Sequence, residues 1–162
     1  SSSEDNSILQ GEMAADLAKQ YGFEVVTRTV ASTNDVSQVT QQLVAEVDAI
    51  WTPNDNVIAS AFPSVLEVSN NAKIPVYPAV DMMVAQGGLA TLGLNQYAIG
   101  VKTGAMAVQL LQGEIDPATT PIVRADVTDL VINFEAAELL DLTIPEELLG
   151  TAIDARELET GE

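Results

Sequence analysis

Thr52, Asn54, Asp55 and Asn56 crowd into five positions of a 162-residue chain. Runs of the same character recur at residues 1–7 (SSSEDNS), 32–35 (STND) and 95–97 (NQY), and Asp81 stands at the end of 79–81 after an apolar segment. Hydroxyls and amides of this size donate and accept single hydrogen bonds, and a carboxylate pairs with an ammonium. Where such residues open helices, free backbone N–H groups and the positive end of the helix dipole favour an anion. The set therefore suits a small zwitterion or another polar organic molecule. Each residue alone is also an ordinary helix cap worth about 1 kcal/mol. The cluster at 52–56 holds more polar groups than one cap needs.

Bond-breaking chemistry finds little support. The chain has no Cys and no His, which removes thiolate nucleophiles, disulfides, thiolate zinc sites and the commonest general base. Neither GxGxxG nor GxxxxGK occurs, and no Lys or Arg sits in any of these polar loops to handle a phosphoryl group. Asp55 with Asp81 is the one arrangement that offers an enzyme, as a carboxylate pair or a Mg²⁺ site, and no nucleophile with an activating base accompanies it. The expectation is a binding protein without cofactor. The net charge is −18, with six basic residues scattered singly. Such a surface repels phosphate backbones and anionic lipid, which disfavours nucleic acid and membrane surfaces as partners.

The elements that must carry these residues alternate. Apolar spacing predicts a helix over 7–20 with Gly22 closing it, a strand over 23–30, a helix entered at 32–35, and a buried strand at 49–51. A capping-box arrangement, with Thr52 as cap, Pro53 first and Asp55 third, opens a helix to about residue 70 that Pro63 kinks or breaks. Strands follow at 74–77 and 89–94, a long helix from Asn95 to Gly113, a last strand at 130–132, and short helices at 134–140 and 144–149. Residues 151–162 read as an acidic, frayed tail. Helix and strand in this order predict an α/β fold, a parallel sheet sandwiched by helices and lacking a strand ahead of Ser1. In such sheets ligands sit beyond the carboxyl ends of the strands, where the polar loops lie.

In sequence order, SSSEDNS, YGFEVV, STNDV, VDAIWTPNDNVIASAF, AKIPVY, GGLATLGLNQYAIGVKTGAMAVQLLQGE and LVINFEAAELLDLTIPEELL resemble the ABC transporter substrate-binding proteins, in the branch with tryptophan- and tyrosine-binding lipoproteins. The resemblance runs over roughly residues 2–149. It implies a Rossmann-like lobe of a type I periplasmic-binding-protein fold, with a first lobe and a lipid-bearing cysteine upstream of this sequence. It implies that residues 95–113 belong with that first lobe, and that residues 1–150 otherwise form one lobe. Carried onto this chain, Ser2, Ser3 and Asn6 would take a ligand carboxylate. Thr52, Asn54, Asp55 and Asn56 would form the second loop, with Asp55 on the ammonium, and Asp81, Asn95 and Tyr97 would complete the site. Trp51, Tyr97 and Tyr77 are the aromatics available for stacking. The implied function is the extracytoplasmic capture of a small ligand for an ABC permease, and a second copy of the chain is expected on any surface left by the other lobe. The alternative is the ligand-sensing domain of a transcriptional regulator or receptor with the same fold.

Overall fold

A computed structural model describes residues 4–124 and 127–158. The first helix, α1 (Asp5–Gln20), ends where Gly22 turns left-handed (φ 82°), and Phe23 N–H donates back to Ala18 O. Residues 23–30, expected as a strand, belong to neither sheet; a strand is a ladder, and β propensity alone does not supply the neighbour. The helix entry expected at 32–35 is a capping box of Ser32 and Asp35, with Ser32 N–H donating to Asp35 Oδ2 (3.1 Å), and it starts α2 (Thr33–Leu43).

Next come β1 (Ile50–Thr52), α3 (Asn56–Ser60) and α4 (Phe62–Asn71). The single helix expected here is broken at Ala61, and Pro63 sits in the first turn of α4, where its missing N–H costs nothing. β2 (Val76–Pro78) pairs parallel to β1, Ile50 beside Val76 and Thr52 beside Pro78. Ile50 and Val76 face a core completed by Val36 of α2 and by Phe62, Val65 and Leu66 of α4. Phe62 is completely buried.

After α5 (Asp81–Ala85), β3 (Ala90–Leu94) begins a second sheet that abuts the first, Leu89 N–H donating to Val76 O (2.7 Å). The long helix α6 (Gln96–Leu111) then leaves without a single buried residue. The chain returns as β4 (Thr128–Ile132), antiparallel to β3 from Ala90↔Ile132 to Leu94↔Thr128. A parallel return needs a crossover helix packed on the sheet. α6 buries no residue and makes no such packing, so the chain returns antiparallel. α7 (Phe134–Leu139) and α8 (Glu146–Leu149) follow. The expected frayed tail is ordered as far as Leu158: β5 (Ile153–Asp154) pairs parallel to β4, and α9 (Ala155–Leu158) packs Ala155 against Val84 and Val131. Acidity concealed two apolar anchors, Ile153 and Ala155.

Two outcomes follow from this packing. Phe62→Ala should lower the unfolding free energy by about 3–5 kcal/mol, read by denaturant titration, because a fully enclosed ring leaves a cavity. Asp154 accepts from Arg156 Nε (3.1 Å) and Nη2 (2.5 Å), and chiefly those bonds hold its carboxyl below its ordinary value. A lowered value in the folded state means a contribution that is complete above the unfolded value of about 3.9 and is lost as pH falls through the folded one. Amide exchange at Ala155 and Arg156 should therefore accelerate selectively at the acid end of a pH series.

Candidate functional site

The carboxyl end of β1 begins the site. Thr52 O accepts from Ala79 N–H (2.9 Å), and the buried Thr52 Oγ1 makes no hydrogen bond among the described residues. Asp55, in extended backbone, is itself the N-cap of α3: its Oδ1 accepts from Ile58 N–H (3.0 Å). The capping role expected of Thr52 therefore falls three positions later, because Pro53 stays outside the helix. Asp55 is 1% exposed, so it works as a sealed cap, whereas Asn54 and Asn56 face solvent.

α1 holds this loop from outside. Asn6 Nδ2 donates to Asn54 O (2.9 Å), Asn54 N–H donates to Gln10 Oε1 (2.9 Å), and Asn56 N–H donates to Glu4 Oε1 (3.0 Å). Asn6 is thus engaged in fixing the loop at 54–56. Glu4 and Gln10 were not legible as its partners, since nothing local relates them to residues some fifty positions on. Ser2 and Ser3, expected to meet a carboxylate, lie outside the described residues.

A second group forms where β2, β3 and β4 meet. Asp81 opens α5, half-buried, with its Oδ1 accepting from Met82 N–H (2.7 Å). It stands over Gly93: a Cβ there would lie 3.7 Å from Asp81 Cβ and 3.3 Å from Thr91 Cγ2. Gly93 pairs with Asp129 across the ladder, and directly opposed residues share a face. Asp129 therefore joins Asp81 beside this glycine. The sequence reading missed Asp129; the available signal was a carboxylate in a strand whose partner position is glycine. Asn95 caps α6 through Oδ1, which accepts from Ala98 N–H (2.6 Å), while its Nδ2 donates to Asp129 Oδ2 (2.6 Å). Tyr97, 82% exposed, stands in the first turn of α6.

Asp55, Asp81 and Asn95 thus follow the carboxyl ends of β1, β2 and β3 in turn, and no Lys or Arg lies in residues 52–56, 79–81 or 93–97. The field of this rim is negative, which suits an ammonium. Trp51 and Tyr77 are register partners on the sheet face away from Ile50 and Val76, both partly exposed. Burial raises the Tyr77 hydroxyl above its ordinary value.

Known proteins resemble this arrangement over most of its length. A family model described as ABC transporter substrate binding protein matches residues 1–156. The tyrosine-binding protein of Clostridioides difficile (strain R20291) is 33% identical over 140 residues, which are 86% of this chain and 40% of that protein. The crystal structure of an ABC domain in complex with L-Trp from Streptococcus pneumonia superposes with a TM-score of 0.86 at 43% identity, over 95% of this chain and 52% of that one. A conserved domain protein from Vibrio cholerae gives 0.83 at 35% identity, over 93% and 51%. The chain therefore spans about half the length, or less, of these relatives.

The loop geometry yields one outcome. Asp55→Ala should destabilise the protein by about 1–2 kcal/mol in thermal or denaturant unfolding, and Asp55→Ser, which keeps a cap acceptor, should recover part of the loss.

Proposed function

The chain belongs to the family of ABC transporter substrate-binding proteins, and from that premise we propose that it forms one wall of a cleft that captures an aromatic amino acid outside the cytoplasm for an ABC permease. The observation that carries the reading is the 43% identity, over nearly the whole chain, to a domain solved with L-Trp. The family binds and does not catalyse, which agrees with a rim made of caps and carboxylates.

In this reading the second wall is a further lobe, and the cleft closes as the two approach. Asp81 and Asp129 lie beside Gly93 and would draw the ligand ammonium. The exposed Tyr97 ring would give an aromatic side chain a surface to stack on. Asn54, Asn56 and, upstream, Ser2 and Ser3 would supply the remaining polar contacts near the ligand carboxylate. Residues 95–113 would pack with the further lobe, which accounts for a long apolar helix with no buried residue. Among the described residues no helix is long and apolar enough to cross a membrane. The permease would recognise the closed form.

Isothermal titration of L-tryptophan and L-tyrosine, with L-glutamate as a control, tests the reading. Binding of an aromatic amino acid is expected, weakened about tenfold or more by Asp81→Asn, the equivalent of about 1.4 kcal/mol. Equal affinity for L-glutamate, or no effect of Asp81→Asn, would overturn the assignment of an ammonium to this rim.

A further inference from the structure

Between β3 and β4 the chain makes its longest excursion, residues 95–127, and the roots of that excursion are joined by one side chain. Asn95 N–H donates to Val127 O (3.0 Å), extending the ladder one step past Leu94↔Thr128. Its Oδ1 fixes the first turn of α6, and its Nδ2 reaches diagonally to Asp129 on the returning strand. The diagonal is open because Gly93, the residue facing Asp129, has no side chain.

We propose that Asn95 and Asp129 form a latch that sets the angle between α6 and the sheet, acting as positioning residues for cleft closure. The functional half of this statement rests on the solute-binding reading; the geometric half does not. Three bonds from one residue couple the helix axis, the ladder backbone and the opposite strand. A swing of α6 as a rigid body turns about this residue and must strain the Ala98 cap, the Val127 bond or the Asp129 bond. The Asp129 bond is the strong member, since a carboxylate acceptor shortens and strengthens an amide donor's hydrogen bond. With both ends of its carboxamide engaged inside the fold, Asn95 acts through α6 and has little left for a ligand.

Substitutions separate latch from cap. Asn95→Asp keeps an acceptor for Ala98 N–H but sets carboxylate against carboxylate. Combining it with Asp129→Asn restores one donor and one acceptor with their roles exchanged. Because the chain contains no Cys, cysteines introduced at the exposed Gln109 of α6 and Glu67 of α4 can be spin-labelled without background. The label-to-label distance distribution should be narrow in the parent, broad in Asn95→Asp and narrow again in the double variant. Amide exchange at residue 95 should rise about tenfold in the single variant, the scale of one lost hydrogen bond, while Ala98 stays protected. Asp129→Asn alone, which removes the charge but leaves an acceptor, should broaden the distribution less than Asn95→Asp. An unchanged distribution in Asn95→Asp, or a double variant as broad as the single one, would overturn the latch. Adding L-tryptophan to the parent completes the experiment. A shifted distance joins the latch to ligand capture, and no shift alongside the expected variant behaviour keeps the geometry while counting against its role in capture.

Discussion

The antiparallel ladder between β3 and β4 is the interaction on which the arrangement depends. It pairs backbone on the two sides of the α6 excursion, carries β5 on its far side, and abuts β2 through Leu89. α5 and α9 pack on it through Val84, Val131 and Ala155, so the second core exists only where the ladder has formed. Closing so long a loop costs conformational entropy before any contact is gained. Buried apolar contacts of β4 offset that cost, Val131 and Ile132 being almost completely enclosed. Asp129 and Gly93 enter the rim because this register places them opposite each other.

The groups that face the rim also hold up the elements behind it. Asp55 and Asn95 cap helices, and Asn133 does both at once farther along, its Oδ1 accepting from Ala136 N–H while its Nδ2 donates to Val84 O. Helix ends leave backbone groups unmet, and small polar side chains are the economical way to meet them. A binding edge at the carboxyl ends of strands is therefore made largely from residues that folding already requires. What distinguishes it from mere capping is the excess of carboxylate, with Asp81 and Asp129 beside a residue that has no side chain.

Much of this was legible in the chain itself. Apolar periodicity located α1, α2 and α6, the polar run at 32–35 announced the cap of α2, and Pro63 marked the break between α3 and α4. These features are local, and local sequence encodes them. The reversal at β4 was hidden, because strand direction depends on where α6 packs and α6 packs on none of the sheet. The strand expected at 23–30 failed for the same reason, as alternation says which residues fit a ladder and not whether a neighbour is present. At the site, Asp81 and Asn95 could be found by their place after strands. Asp129, Glu4 and Gln10 could not, since each is brought to the rim by pairing across long stretches of chain.

Trp51 has an optical consequence. It is the only indole in the molecule, it lies in the middle of β1 with about 43% of its surface in solvent, and Tyr77 is its register partner. Indole emission from this protein therefore originates at one address, on the outer face of the β1–β2 pair, with a phenol close enough to pass it excitation. Any backbone or helix that settles on that face changes the polarity around a single emitter, so a blue-shifted spectrum reads directly as covering of the sheet. The molecule has its own lamp on the side away from its core.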